Sequence, residues 1–160
     1  MVRVCIVCLG NICRSPTAEG TLRHVAAREG LAHAVSVESR GTGDWHVGEP
    51  PDPRTVQTAR ARGVELTSRA KLFTSRDLER FDWVLPVDVS NLRTIERMVR
   101  VPEHGQKIRL LRSFEPGAPP GAEVPDPYYG GPGGFDEVFD ICLRASEGLL
   151  AFLRAHHRLG

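Results

Sequence analysis

The stretch VCLGNICRSP, residues 7–16, decides the fold of this 160-residue chain. It follows an apolar run from Val2 to Val7 that predicts a buried strand. It leads into a helix signal, with Ser15 as the predicted N-cap and Pro16 at the first helical position. A strand, a tight loop and a helix N-terminus in this order form an anion cradle, because unpaired N–H groups point inward and the helix dipole adds positive charge.

The cradle contains a thiol and a guanidinium at positions that suit phosphoryl transfer. A free cysteine has a pKa of about 8.5 and is mostly neutral at pH 7. The converging N–H groups, the helix N-terminus and Arg14 predict that Cys8 is a thiolate at working pH. The planar fork of Arg14 matches two oxygens of a phosphate monoester and follows them into the transition state. We therefore predict Cys8 as the nucleophile and Arg14 as a catalytic cation, with Ser15 donating a hydrogen bond to the sulfur.

The other loop residues are predicted to line the phosphate site. Asn11 either fixes the loop through its side-chain amide or tolerates a left-handed backbone conformation. A metal site is not expected, because Cys5 of the Cys5-x-x-Cys8 pair lies inside the apolar strand and the six histidines are scattered without ligand spacing. The predicted phosphate-binding set is Leu9, Gly10, Asn11, Ile12, Cys13 and Ser15.

This segment resembles the signature loop of the low-molecular-weight protein tyrosine phosphatase family, Cys-x-Gly-Asn-x-Cys-Arg-Ser-Pro. The resemblance continues through residues 88–92, 107–111, 126–130 and the closing helix, and so spans essentially the whole chain. It implies metal-independent hydrolysis of phosphotyrosine and small aryl phosphates through a cysteinyl-phosphate intermediate, with no cofactor.

The resemblance also implies roles for residues around the loop. Cys13 either only fills space in the cradle or traps an oxidised Cys8 as a reversible disulfide, and the resemblance implies the second role. Ser39 would support Asn11. The chain departs from the family pattern at Ser68, where a loop-bracing histidine is frequent, and at Val87, where methionine is frequent.

Asp126 is the predicted general acid. Breaking a phosphomonoester requires a proton for the departing oxygen, which Cys8 and Arg14 do not conveniently supply. Asp126 lies between Pro125 and Pro127 in a long Pro- and Gly-rich connection, and a loop of this kind is usually functional or flexible. A plain turn aspartate is the alternative for an Asp-Pro pair. The cradle and the resemblance of residues 126–130 to the acid loop of the family favour catalysis.

Aromatic residues are predicted to line the entrance to the site. Tyr128 and Tyr129 adjoin the proposed acid and form walls for an aromatic leaving group. Trp45, after the second predicted strand, faces them. The alternative for all three rings is that they cover the underside of loops. The segment 44–48 resembles the variable specificity loop of the family.

Strand and helix signals alternate along the rest of the chain. They predict α/β architecture: an open four-stranded parallel sheet of order 2-1-3-4 with helices on both faces and the phosphate-binding loop after strand 1. The predicted strands are 2–7, 34–38, 83–87 and 107–111. The predicted helices are 15–29, 53–63, 75–80, 88–99 and 135–157. The length predicts one domain over residues 1–160.

Composition restricts the partners and the compartment. A formal net charge of +1 predicts no attraction to nucleic acid or membranes. No stretch has the pattern of a signal peptide or the length of a membrane span, and four cysteines form no disulfide framework, so the cytoplasm is expected. We expect a phosphotyrosine protein or a small aryl phosphate as partner, and a monomer or weak homodimer.

Four other functions fit the sequence less well. A phosphoarginine phosphatase of this fold usually has Thr in place of Ile12. An arsenate reductase needs shuttle cysteines in the middle of the chain, and none stands between Cys13 and Cys142. A noncatalytic phosphate-binding module needs no pairing of Cys8 with Asp126. A Mg²⁺-dependent kinase or ATPase is disfavoured because the Walker Gly-Lys-Ser/Thr is missing.

Overall fold

The computed structural model describes residues 1–128, 130–131 and 133–160. Nine helices and strands are assigned within these residues, together with one 3₁₀ helix at Leu111–Phe114. In chain order they are β1 Val2–Cys8, α1 Arg14–Arg28, β2 Val35–Gly41, α2 Pro53–Ala61, α3 Asp77–Arg80, β3 Trp83–Pro86, α4 Val89–Glu96, α5 Pro102–Gly105 and α6 Gly134–His156.

The sheet has β1 at its centre and helices on both faces. β2 and β3 pair in parallel with β1, from Val2 opposite Val35 and from Val4 opposite Trp83. Side chains of β1 alternate between the faces, so Val4 and Ile6 join a core with α1 and α6, whereas Cys5 and Val7 join a core with α3 and α4. The predicted parallel α/β architecture and the order 2-1-3 are confirmed.

The predicted fourth strand is wrong, because the sheet has three strands. The segment 107–111 lies beside β3, as predicted, but only a single bridge joins Val84 to Ile108. The Val84 N–H donates to Lys107 and the Arg109 N–H donates to Val84, at 3.0 and 3.2 Å. The next backbone nitrogen on this side of β3 belongs to Pro86, which has no hydrogen to donate. The pairing stops there, and the chain turns into the 3₁₀ helix.

The start of α1 also differs from the prediction. Cys13, not Ser15, occupies the N-cap position, and no side chain caps the helix. The hydroxyl of Ser15 lies inside the loop, where it contacts Asn11 and makes the predicted contact with the sulfur of Cys8. The helix ends as predicted before Gly30, whose φ of 73° suits glycine. The short helix α5 and the 3₁₀ helix were not predicted.

The carboxyl ends of the three strands bring the expected site together. β1 ends at Cys8 and β2 at Gly41, its partner in the sheet. Backbone hydrogen bonds from Thr42 to Cys8 and from Gly43 to Leu9, both 2.9 Å, hold the loop after β2 against residues 8–15, the predicted phosphate loop. Among the described residues, no helix combines the length and the apolar character that crossing a membrane requires.

Candidate active site

The sulfur of Cys8 lies at the bottom of a loop that offers it hydrogen-bond donors. The Asn11 N–H donates to Sγ at 3.2 Å, and the Ser15 hydroxyl lies 2.9 Å from Sγ. Cys8 is only 3% exposed, yet it lines a surface cavity. Donors aimed at sulfur stabilise a negative charge there, so the geometry suits a thiolate.

Asn11 holds the loop in two ways at once. Its φ of 57° is left-handed, a conformation that Asn tolerates better than most residues. Its amide donates to Ser15 and Ser39 at 2.8 and 2.9 Å, and its carbonyl accepts from the backbone of Lys71 at 2.9 Å. Both alternatives for Asn11 are therefore true. The structure also has the predicted contact with Ser39, whose hydroxyl donates to Glu19 at 2.6 Å.

Arg14 is held by carboxylates at the edge of the cradle. Its Nη1 donates to Asp88 at 2.7 Å and to the carbonyl of Val124 at 3.0 Å, and its Nη2 lies 3.7 Å from an oxygen of Asp126. Burial lowers the pKa of Arg14, but the charge of Cys8, the hydrogen bond and charge of Asp88 and the charge of Asp126 together raise the pKa by more, and the net shift is upward. Arg14 is therefore a permanent cation beside the sulfur.

Asp88 is a site residue that sequence reasoning missed. It lies two residues after the end of β3 and caps α4, since its Oδ1 accepts from the Asn91 N–H at 2.8 Å. Its other oxygen orients Arg14. Its place after a parallel strand, at the edge where ligands bind, is the signal that would have found it.

Asp126 lies across the cavity on the long connection before α6. Its side chain is 44% exposed, and its Oδ1 accepts from the Tyr128 N–H at 3.0 Å. This short-range bond is an Asx turn, which fixes the direction of the carboxyl group. The second oxygen is the one that approaches Arg14.

A cavity of about 430 Å³ joins these groups. Nine of the predicted site residues line this cavity. Asn11 and Ser15 do not line it, but both contact the sulfur of Cys8. Tyr129 lies outside the described residues. The predicted residues that line the cavity are Cys8, Leu9, Gly10, Ile12, Cys13, Arg14, Trp45, Asp126 and Tyr128, and His46 joins them.

One wall of the cavity is built from the loop after β2. Trp45 is 68% exposed, and its indole lies directly on Gly43, where an added Cβ would overlap the ring. The ring of His46 packs on Gly10 of the phosphate loop, with its Nδ1 2.9 Å from a carboxylate oxygen of Glu49. The sequence does not single out His46, because only the close approach of this loop reveals its place.

The other three thiols differ from Cys8 in their environment. Burial raises the pKa of Cys13 and of Cys142 to about 12, and it raises that of Cys5 well above its usual value. These thiols stay neutral near pH 7 and are poor nucleophiles. Within the described residues, no group of three or more His, Cys, Asp or Glu side chains is arranged to hold a metal ion.

Known proteins resemble this chain along nearly its whole length. The low molecular weight protein-tyrosine-phosphatase of Streptomyces coelicolor is 44% identical over 153 residues, which cover 95% of this chain and 93% of that protein. The crystal structure of a protein tyrosine phosphatase from Entamoeba histolytica gives a TM-score of 0.93 at 33% identity and covers 98% of this chain and 99% of that one. A Drosophila arginine phosphatase gives a TM-score of 0.84 at 31% identity, with 94% and 97% covered.

A family model agrees with these pairwise similarities. The model described as low molecular weight phosphotyrosine protein phosphatase matches residues 3–159. The match includes the loop around Cys8 and Arg14 and the segment that carries Asp126. The chain therefore belongs to the low molecular weight phosphotyrosine protein phosphatase family.

Proposed function

We propose that this chain is a protein-tyrosine-phosphatase that hydrolyses phosphotyrosine and small aryl phosphate monoesters without a metal ion. The observation that carries the proposal is the Cys8 sulfur, which receives hydrogen bonds from a strand-loop-helix cradle and shares one cavity with Arg14 and Asp126. A nucleophile, an oxyanion clamp and a proton donor converge there, as phosphoryl transfer requires.

In the first step the Cys8 thiolate attacks phosphorus. The S–P bond forms as the bond from phosphorus to the phenolic oxygen breaks. Asp126, in its acid form, gives its proton to that oxygen, so that tyrosine or a phenol departs neutral. The guanidinium of Arg14 binds two equatorial oxygens of the transition state. Asp88 and the Val124 carbonyl keep that guanidinium aimed into the cavity.

In the second step water releases the phosphoryl group. The Asp126 carboxylate takes a proton from water, the water oxygen bonds to phosphorus, and the S–P bond breaks. The electron pair returns to the sulfur as a thiolate, which Ser15 and the Asn11 N–H stabilise at the distances seen here. Inorganic phosphate leaves, and Asp126 is again the acid.

The walls of the cavity favour an aromatic, oxygen-linked substrate. The rings of Trp45 and Tyr128 flank the opening, and Tyr129 is proposed to add a third ring. The fold does not select the linkage, since this chain also resembles an arginine phosphatase. The apolar side chain of Ile12, where a Thr would contact a nitrogen-linked substrate, is what favours phosphotyrosine.

We also propose a domain organisation, an oligomeric state and a compartment for this chain. We propose that residues 1–160 form one domain, because this length suits a single hydrophobic core, and that the chain acts as a monomer or weak homodimer. A reducing compartment such as the cytoplasm suits an enzyme whose nucleophilic thiol is one of four free cysteines. Cys13 lines the same cavity as Cys8, as a protective disulfide partner must.

The test is hydrolysis of p-nitrophenyl phosphate and a phosphotyrosine peptide in the presence of a chelator. Cys8→Ser should lose turnover but still bind inorganic phosphate, and Arg14→Lys should lose most of kcat. Cys142→Ala, which changes a buried thiol that does not line the cavity, is the matched control and should keep wild-type rates. Equal activity of Cys8→Ser and wild type would contradict the proposal.

The acid role of Asp126 has its own readout. Asp126→Asn should reduce kcat/KM for phenyl phosphate by roughly 100-fold, in the range of general acid catalysis, and reduce it much less for p-nitrophenyl phosphate, whose leaving group needs less help. Equal losses for the two esters would remove Asp126 as the acid.

A further inference from the structure

We propose that Arg54 is a positioning residue that holds the general acid in place, acting through Tyr128. The inference rests on the proposed function, because Asp126 must act as the acid. It concerns a surface arginine on α2 that lies outside the signature loop and does not line the cavity.

Arg54 is fixed to the phosphate loop through Asp52. The Nε and Nη2 of Arg54 donate to the two oxygens of Asp52 at 3.1 and 2.9 Å, which is a bidentate pair. Asp52 is the N-cap of α2, and its own N–H donates to the carbonyl of Ile12 at 2.8 Å. The position of the guanidinium therefore follows the position of the loop that holds Cys8.

Two aromatic rings contact this fixed cation. Its central carbon lies 4.7 Å from the ring centroid of Phe135 and 5.4 Å from that of Tyr128, within the range of cation–π attraction. Phe135, at the start of α6, packs with Ile12 and Cys13 in one buried cluster. Arg54 therefore connects Tyr128 to the phosphate loop by two contacts. One is its ion pair with Asp52, and the other is its stacking on the ring of Phe135.

Tyr128 passes this placement on to Asp126. Its backbone N–H donates to Oδ1 of Asp126 at 3.0 Å, so a shift of Tyr128 redirects the carboxyl group. Asp126 is nearly half exposed, and its other oxygen is 3.7 Å from Arg14. A loop of this kind needs an external attachment to keep a proton donor within reach of the leaving oxygen, and Arg54 provides one.

The experiment measures kcat/KM of Arg54→Ala, Arg54→Lys and wild type for phenyl phosphate and p-nitrophenyl phosphate. Arg54→Ala should lose about tenfold or more with phenyl phosphate and less than about threefold with p-nitrophenyl phosphate, as expected for partial loss of acid catalysis. Arg54→Lys should lie between, because ammonium keeps the charge but not the planar bidentate fork. The inhibition constant of inorganic phosphate should stay within about twofold of wild type, because the cradle is intact.

Two controls separate positioning from a general structural effect. Arg60→Ala removes another arginine of α2, which pairs with Glu65 away from the site, and it should match wild type with both esters. In an Asp126→Asn background, Arg54→Ala should cost nothing further, because the group on which it acts is gone. A thermal melt of each variant confirms that it is folded.

The outcomes distinguish this inference from the proposed function. If Arg54→Ala loses equally with both esters, or loses as much again in the Asp126→Asn background, the positioning role is wrong. The same holds if it matches wild type throughout. If wild type hydrolyses neither ester, the proposed function itself is wrong.

Discussion

Asn11 shapes the site through both its backbone and its side chain. Its left-handed backbone turns its N–H towards the Cys8 sulfur, while its side chain spans Ser15, Ser39 and the backbone of Lys71. These contacts lie in buried or half-buried surroundings, where hydrogen bonds are strong and unmade ones are costly. The conformation of the cradle is therefore set before any phosphate arrives.

Gly43 provides a prediction at the residue scale. Because an added Cβ would overlap the indole of Trp45, Gly43→Ala should push that ring off the loop and out of the cavity wall. KM for a phosphotyrosine peptide should rise by about three- to tenfold, the effect of losing one aromatic contact of about 1 kcal/mol. The inhibition constant of inorganic phosphate, which Trp45 does not reach in the proposal, should stay unchanged.

Gly131→Ala is the matched control for this substitution. A Cβ added at Gly131 would extend into open space, and this glycine lies on a different loop, so its variant should keep the wild-type KM. An unchanged KM in Gly43→Ala, or a parallel rise in the inhibition constant of phosphate, would contradict the role of Trp45 as a wall.

At this scale the sequence predicted the residues of the loop but not their neighbours in space. Cys8, Arg14 and Asn11 lie close together in the chain and carry their chemistry in their spacing. Asp88 and His46 come from other strand ends, and only the order of strands in the sheet brings them to the same edge. Ser15 was predicted both as a helix cap and as a partner of the sulfur. Only the contact with the sulfur is present, because the helix begins one residue earlier, with Cys13 at its N-cap.

At the scale of elements, two glycines inside helices offer a comparison. An added Cβ at Gly148 in α6 would overlap the carbonyl oxygen of Phe114 and lie 2.9 Å from the carbonyl carbon, and backbone cannot easily move. At Gly20 in α1 the added Cβ would meet the tips of Leu66 and Val64, which can rotate. α6 therefore packs against the 3₁₀ helix more closely than any side chain allows.

Gly148→Ala should accordingly destabilise the protein more than Gly20→Ala. Alanine favours each helix by about 1 kcal/mol over glycine, and overpacking costs about 1–3 kcal/mol or more. We expect the free energy of unfolding of Gly148→Ala to fall below that of Gly20→Ala by at least about 1 kcal/mol. Urea unfolding of the two variants measures this difference. An equal or reversed order would mean that α6 does not approach Phe114 this closely.

The strands show why sequence patterns predict elements better than pairings. The apolar runs located β1, β2 and β3, and alternation of strands and helices predicted the parallel sheet. The segment 107–111 also has an apolar pattern, but pairing depends on the neighbouring strand's donors. Pro86 removes the next donor on that edge, so a strand-like segment forms one bridge instead of a ladder.

At the scale of the whole molecule, buried thiols couple stability to alkaline pH. Cys5, Cys13 and Cys142 have pKa values raised in the folded state, to about 12 for Cys13 and Cys142. In the unfolded chain the same thiols ionise near pH 8.5. The unfolded state therefore loses protons that the folded state keeps, and the stability present below about pH 8.5 is lost as pH rises towards about 12.

The free energy of unfolding should fall above about pH 9, with each such thiol contributing up to about 1.4 kcal/mol per pH unit. Urea unfolding at pH 7, 9 and 10, with reductant present, measures the slope. Cys142→Ala isolates one thiol from other groups that titrate in this range, and its slope should be shallower by up to that amount. Parallel slopes for the variant and wild type would show that Cys142 ionises as easily folded as unfolded.

The most direct measurement of the central claim is the identity of the phosphorylated residue during turnover. Wild-type protein is mixed with p-nitrophenyl phosphate, quenched within the first turnover by denaturation, digested and analysed by mass spectrometry. We predict a phosphoryl group on the peptide that carries Cys8, no such species in Cys8→Ser, and none on the peptide that carries Cys142. Turnover without a phosphorylated cysteine, or a phosphoryl group on any residue other than Cys8, would contradict the account.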